Sequence, residues 1–492
     1  METPAAAVFS RGRVAVCPLH LQAAARATGS ATMPSLAGHE KPFQHKDFDF
    51  PGDEHQYTNY RPVSLLHQFS KILEKLFDIR PNSFIEKHQL LMESQYGFRK
   101  NRSTSMALID LTEELISAIE KNYAVGVFID LKKAFDTIDH DILITKMERY
   151  GVRGVGLNWI ISYITNRKQF VQMGSYNSNS LPITCGVPQG SILGPKLFIL
   201  YINDICKVSN IFKLVVFADD TNIFCSGNNI QKLLEVVTAE LDKLKVWFNL
   251  NKLSLNLNKT KYMIFGNQKN LLSHQIEIKI DNTILERVYE NKFLGVIIDN
   301  NFSWKHHINY IRSKMAKSIG VIGKIRYFLN YSSLYTLYCT LLTPYLTYCV
   351  EVWGNTYRSN LQPIYIMQKK AMRIVNNVGY YEHTNRLFLN SKTLKFFDLV
   401  DFKTAQIIYK ARHNKLPANI QSRFRDRDGR YELRGELNLK EMGAISTRKS
   451  MIISVRGVKM WNGFPETIKH SLSLKQFKKR LKQAMLDKYI IE

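Results

Sequence analysis

The run Tyr123-Ala-Val-Gly-Val-Phe-Ile-Asp130 is almost wholly apolar and ends on a carboxylate. Apolar residues without polar alternation predict a strand buried on both faces, so the chain must build layers over a sheet. About 90 residues later, Lys213-Leu-Val-Val-Phe-Ala-Asp-Asp-Thr-Asn-Ile-Phe224 reads as strand, Asp219-Asp220 turn, strand. Carboxylates at the ends of buried strands are costly unless something offsets their desolvation and mutual repulsion. Two magnesium ions held about 3.5–4 Å apart by hard oxygen ligands would do so, one activating an attacking hydroxyl and the other stabilising a leaving group. An Asp-Asp turn is also an ordinary hairpin solution, so the pair alone does not decide the chemistry.

Helical signals surround these strands. Leu65 to Phe77 has apolar residues at helical spacing, with Lys71, Glu74 and Lys75 on the polar side. A second helix is expected from about Ser103 to Lys121, opened by Ser and Thr, and a third over Asp139 to Tyr150. Another is expected at about Ile230 to Asn249, followed by strands near Lys261 to Phe265, Gln275 to Ile280 and Lys292 to Ile298. After Trp304 the chain reads as helical, basic and aromatic.

Charge divides the molecule. Residues 1–300 carry 34 Lys and Arg against 30 Asp and Glu, whereas residues 301–492 carry 34 against 12. Such an excess points to a polyanionic partner, because each neutralised phosphate releases counterions; a solvated basic surface is the plainer alternative. Six cysteines without a C-x-x-C pair exclude a disulfide scaffold and a C-x-x-C zinc site, and fit a reducing compartment. A transmembrane helix is not expected: the most apolar stretch, Leu181 to Ile202, is interrupted by prolines, glycines and Lys196.

Seven phrases, in order, carry a resemblance. Phe128-Ile-Asp-Leu-Lys-Lys-Ala-Phe-Asp136, Gly186-Val-Pro-Gln-Gly-Ser-Ile-Leu-Gly-Pro195 and Phe217-Ala-Asp-Asp220 resemble motifs A, B and C of reverse transcriptases. Asn59-Tyr-Arg-Pro-Val-Ser-Leu-Leu66, Gln95-Tyr-Gly-Phe-Arg-Lys-Asn-Arg-Ser-Thr104, Leu255-Asn-Leu-Asn-Lys-Thr-Lys261 and Lys292-Phe-Leu-Gly-Val296 are similar to the non-LTR retrotransposon, LINE-type branch. The flavour is jockey-like and extends through Glu351-Val-Trp-Gly-Asn-Thr356.

The resemblance implies an α+β right-hand polymerase fold: fingers, a palm with an antiparallel sheet, a helical thumb, and a basic C-terminal helical region. It implies an RNA-directed DNA polymerase that extends a primer 3′-hydroxyl with dNTPs by two-metal phosphoryl transfer on an RNA template with a DNA primer. Asp130 and Asp219 would ligate two Mg2+ ions (Mn2+ as an alternative), with Asp220 completing the pair and the Leu131 carbonyl adding an uncharged oxygen. Phe135 matches the aromatic gate that leaves no room for a 2′-hydroxyl. Gln189 matches the motif B glutamine near the incoming nucleotide, and Gly186 and Gly190 permit close backbone approach. Arg61 and Lys71 are candidates to hold the triphosphate. Lys259, or Lys261 if the register slips by two, corresponds to a lysine that protonates pyrophosphate. Arg99 and Arg102 are read as template-phosphate contacts, and Phe293-Leu-Gly-Val296 as the primer grip. Lys305, Arg312, Lys314, Lys317, Lys324 and Arg326 would track a duplex backbone along the thumb, with Arg423 and Lys475 to Lys482 extending the basic surface.

The expected divisions are a low-complexity, disordered leader at 1–50, fingers and palm at 51–290, primer grip and thumb at 291–380, and the basic region at 381–492. The leader is Ala-rich with Arg11, Arg13 and Arg26, a composition a transit peptide shares, but its poor amphipathicity argues against mitochondrial targeting. The resemblance implies nuclear action, with the cytoplasm as the alternative. No membrane partner is expected. The residues before Asn59 are too few for the nuclease domain that family members carry, so a nick would come from another protein. Two other readings compete: an inactive, retroelement-derived nucleic-acid binder, and an RNA-dependent RNA polymerase, against which Phe135 argues.

Overall fold

The computed structural model describes residues 41–46, 60–120, 122–173, 176–266, 277–427 and 437–491. Most of the expected leader, Gly52-Asp53, Asn59, Lys121 at the second helix end and Gln275 at a strand start lie outside the described residues, as does the side chain of Arg61. In chain order the first elements are strands β1 (Lys41–Lys46) and β2 (Tyr60–Leu65), helices α1 (Gln68–Lys87) and α2 (Thr104–Ala118), and strand β3 (Tyr123–Ile129). Helices α3 (His140–Arg149), α4 (Val155–Ile164) and α5 (Gly194–Tyr201) follow, then strands β4 (Lys213–Phe217) and β5 (Asp220–Gly227). Next come helix α6 (Ile230–Leu250) and strands β6 (Lys261–Phe265), β7 (Glu286–Arg287), β8 (Glu290–Phe293) and β9 (Val296–Asp299). The rest is helical, chiefly α7 (Lys305–Ile325), α8 (Tyr331–Leu341), α9 (Arg358–Val375), α10 (Phe396–Arg412) and α11 (Leu474–Ile491). No helix of the described residues is long and apolar enough to cross a membrane.

The chain forms two compact units. The first comprises residues 1–91, 133–202 and 251–253, and the second comprises 92–132, 203–250 and 254–492. In the first unit, β1 pairs antiparallel with β2, so a strand lies inside the segment for which none was expected. Helix α1 differs from its expected orientation. Glu74, read as solvent-facing, is 1% exposed, while Phe69, Ile72, Leu73, Leu76 and Ile79 are exposed. The reason lies at α5, whose N-cap Leu193 has no side-chain cap. The Glu74 carboxylate fills that role, accepting from the backbone N–H groups of Ile192 at 2.6 Å and Leu193 at 3.2 Å. A carboxylate is favourable there because a helix start presents unmet donors and positive dipole. Burial nonetheless pushes its pKa up from the ordinary value. Phe77 turns to the same side and stacks on Trp159 of α4 at 4.0 Å.

The second unit holds the five-stranded sheet, in the order β7-β6-β3-β5-β4. The apolar 123–129 run is its central strand, antiparallel to both β6 and β5, and only the short β7 pairs parallel. Gly126 is needed in this strand because a side chain there would press on the Phe265 ring across the β3–β6 pair. Helix α2 starts at its expected cap, the Ser103 hydroxyl accepting from Met106 N–H, and lies among the core residues. One continuous apolar cluster joins α2 and the sheet to α7, α8, α9, α10 and α11. Arg423, expected on the basic surface, instead pairs with Asp110 of α2 at 2.6 Å and with Glu114 at 3.3 Å. Two acids on a mostly apolar helix require such a partner.

Within this core His307 of α7 is 1% exposed. Its Nδ1 accepts from Ile297 N–H at 3.3 Å, and its ring meets Trp353 edge-on at 5.2 Å. Burial pushes the imidazole down to about 4. Between that value and the ordinary 6.5, the unfolded chain binds a proton that the folded chain does not, so stability falls as pH drops through this window. The full shift corresponds to about 3 kcal/mol. Denaturant titrations of the wild type and His307→Asn, which keeps an acceptor but does not titrate, should diverge by about this amount between pH 6.5 and pH 4. Parallel losses in the two proteins would overturn the assignment.

Candidate active site

Pairing of Ile129 with Thr221 and of Phe217 with Asp220 brings Asp130, Asp219 and Asp220 to one end of the adjacent strands β3 and β5. Asp130 and Asp219 are half-buried and Asp220 is exposed. The hairpin turn consists of Ala218 and Asp219, and Ala218 sits at φ +57°, a left-handed conformation that disfavours any residue with a Cβ.

The turn is supported from behind. Gln95, 0% exposed, accepts with Oε1 from Ala218 N–H at 3.1 Å and from Gly97 N–H at 2.8 Å. Val216 N–H donates to the Ser94 carbonyl and Tyr96 N–H to the Val216 carbonyl, which locks the 94–97 segment alongside β4. A Cβ at Gly97 would collide with the Ala218 amide, so this close approach requires glycine. The phrase Gln95-Tyr-Gly is therefore the brace of the Ala218-Asp219 turn. Arg99 and Arg102, read as template contacts, are engaged locally: Arg99 donates to the Met92 carbonyl at 2.8 Å, and Arg102 to the Glu93 carbonyl and carboxylate.

Asp130 has its own support, from the phrase Leu255 to Lys261. The Asn256 side-chain amide donates to Asp130 Oδ2 at 2.8 Å, and Asn256 N–H donates to the Asp130 carbonyl at 2.9 Å. Asp130 N–H in turn donates to the Thr260 hydroxyl at 3.3 Å. Asn256 and Thr260 were absent from the sequence-derived candidates; their motif was visible, but only the fold shows that they touch Asp130. Leu131 faces Leu255 in a bridge whose hydrogen bonds belong to the flanking residues, Asp130 with Asn256 and Lys132 with Ser254. In an antiparallel pair of this kind the Leu131 carbonyl points away from its neighbour. Lys259 is exposed beside Thr260, whereas the Lys261 ammonium pairs with Glu286 at 3.1 Å.

The remaining candidates belong to the first unit. Phe135 is half-buried and stacks on Phe198 of α5 at 4.5 Å. Its carbonyl accepts from Val187 N–H, and Gly186 N–H donates to the Ile138 carbonyl, so the later part of motif A and motif B are laced together through backbone. Gly186 at φ +86° leaves no room for a Cβ beside the Asp136 carbonyl, 2.7 Å away. Gln189 donates from Nε2 to Asp136 Oδ1 at 2.7 Å, and its carbonyl accepts from Ser64 N–H. Lys71 lies half-buried on α1, one turn before Glu74. For Arg61 only the backbone position in β2, opposite His45, is described.

Among the described residues, no group of three or more His, Cys, Asp or Glu side chains converges to hold a metal ion. The donors at the strand ends are nonetheless all hard oxygens, with neither thiolate nor imidazole, and such a set suits magnesium rather than zinc. Gln95→Leu removes the acceptor of two N–H groups that sit behind the turn. A loss of about 2–4 kcal/mol in unfolding free energy is expected, measured by denaturant titration; unchanged stability would mean that the turn does not depend on this brace.

Residues 49–298 match the family of reverse transcriptases (RNA-dependent DNA polymerases). A probable RNA-directed DNA polymerase from transposon BS of Drosophila melanogaster is 30% identical over 351 residues, covering 67% of this chain and 37% of that protein. The RNA-directed DNA polymerase from mobile element jockey of the same fly is 27% identical over 366 residues, covering 72% and 39%. The chain thus spans less than two fifths of the length of these relatives. Among solved structures, apo telomerase from Candida tropicalis aligns over 77% of this chain and 67% of that one, with 12% identity and a TM-score of 0.39. By its matched motifs and relatives, this chain belongs to the reverse transcriptase family, in the LINE-type branch of non-LTR retrotransposons.

Proposed function

We propose that this chain is the polymerase core of an RNA-directed DNA polymerase, extending a DNA primer with dNTPs on an RNA template. The observation that carries the reading is the placement of Asp130, Asp219 and Asp220 at one end of two adjacent strands, in a chain of this family. Asp130, Asp219 and the Leu131 carbonyl are the oxygens that would hold two divalent cations, with Asp220 completing the acidic pair. Magnesium, with manganese as an alternative, supplies when bound the positive charge that activates the primer hydroxyl and steadies the pyrophosphate.

The chain's own groups do the rest. Asn256 orients the Asp130 carboxylate and takes up one of its lone pairs, which leaves the other oxygen for the site. Phe135 excludes a 2′-hydroxyl by occupying its space, held in place by the stack on Phe198. Gln189 lies beside the incoming nucleotide, Arg61 and Lys71 hold its triphosphate, and Lys259 delivers a proton to the departing pyrophosphate.

Purified protein is expected to incorporate dNTPs on a primed RNA template with magnesium, and Asp219→Ala to lower the rate by about 100-fold or more. Equal rates in the two proteins would exclude the carboxylate assignment. Phe135→Ala should raise ribonucleotide use relative to dNTPs by roughly tenfold or more, read from competing incorporation. Unchanged selectivity would remove Phe135 from the gate role.

A further inference from the structure

Several large side chains in the helical part of the second unit contribute nothing to its core. Tyr327 is 71% exposed and Phe328 85%, in the turn after α7; Tyr380 is 66% exposed and Tyr381 93%, in the turn after α9. The two turns lie at the same end of this unit because α7 and α9 run parallel. At their starts the Asn360 amide donates to the Ser303 carbonyl, and near their ends Gly323 faces Ile374.

Cations accompany the rings. The Arg326 guanidinium lies 4.5 Å from the centre of the Tyr327 ring, and Arg373 lies 5.9 Å from that of Tyr380. Arg373 also ties its turn down by donating from Nε to the Glu382 carbonyl at 2.8 Å. Lys317 and Lys324 are exposed on α7. From Lys305 to Arg386 the sequence holds eleven Lys and Arg but only two acids, Glu351 and Glu382, and Glu351 is buried. An apolar protein partner would have to desolvate those cations without repayment, whereas a polyanion with stackable faces satisfies both features.

We propose that this aromatic and basic end is a docking platform for an unpaired stretch of RNA, whose bases stack on Tyr327, Phe328 and Tyr381 while Lys324, Arg326 and Arg373 neutralise its phosphates. The strand must be unpaired because bases inside a duplex offer no free faces to rings projecting from two separate turns. The platform uses none of the residues assigned to the metals or the nucleotide. Its role is to hold template beyond the paired region.

The test measures binding of a labelled short single-stranded RNA and of an RNA–DNA hybrid of the same length by fluorescence anisotropy, without dNTPs, in the full chain. The triple variant Tyr327→Ala/Phe328→Ala/Tyr381→Ala should bind the single strand about tenfold or more weakly and the hybrid within about twofold of wild type. Tyr327→Phe/Tyr381→Phe, which preserves the ring faces, should bind both as wild type does. Folding of each variant is checked by thermal unfolding, which these exposed positions should leave unchanged. Single-strand affinity that survives the alanine substitutions overturns the proposal. So does an equal loss on the hybrid, which would make the end part of a duplex-tracking surface. An Asp219→Ala protein that binds RNA like wild type, yet incorporates nothing, separates failure of this platform from failure of the polymerase reading.

Discussion

The antiparallel pairing of Tyr123–Ile129 with Asp220–Gly227 is the contact on which the candidate site depends. It sets the register that places Asp130 level with Asp220, next to the Ala218-Asp219 turn. Because the side-chain period of a strand is two, a slip of one residue would exchange the faces of the central strand and bring a side chain to the place where Gly126 makes room for the Phe265 ring. The register is therefore fixed by fit within the packed 124–129 run rather than by a polar and an apolar face. A site built in this way inherits its precision from the core rather than from its own charges, which repel one another.

Precision at the strand ends comes from uncharged polar groups. Gln95 braces the turn, its Oε1 joining Ala218 N–H to Gly97 N–H of its own segment, and Asn256 makes two hydrogen bonds to Asp130, one of them to a carboxylate oxygen. Neutral donors and acceptors suit this role, because a cation close to the carboxylates would compete with a metal ion for them. Glu74 follows the converse logic at the start of α5, where unmet backbone donors favour a buried carboxylate. Gln95 and Glu74 thus both sit where backbone N–H groups offer donors.

The strands of the central sheet and several helices were legible in the sequence because each announces itself locally; the single strand expected over Lys292 to Ile298 is instead the hairpin of β8 and β9, which turns at Leu294-Gly295, both at positive φ. The 123–130 run is apolar without alternation, Ser103 caps α2 as its position suggests, and the 213–224 segment folds back as a hairpin, though at Ala218-Asp219, one residue before the expected turn. Helix α1 was misjudged because amphipathic spacing identifies a helix without saying which face is inward. The start of α5, more than a hundred residues away, supplied the reason for burying Glu74. Arg99 and Arg102 were read as template contacts, and Arg423 as part of the basic surface, because charge is visible in a sequence and its partners are not; all three have partners within the protein.

What the sequence determined by itself is therefore the set of chemical groups: three carboxylates on β-rich runs, the ordered motifs, and a C-terminal portion far more basic than the rest. Those depend on residue type and near-neighbour spacing, which a linear chain displays directly. Tertiary structure alone decided which groups support which: Gln95 behind Ala218, Asn256 on Asp130, and the aromatic turns after α7 and α9 at one end of the second unit. These pairings join segments roughly a hundred residues apart or, at the helix ends, about fifty, and long-range contacts of that kind are selected by packing and by the need to satisfy buried polar groups.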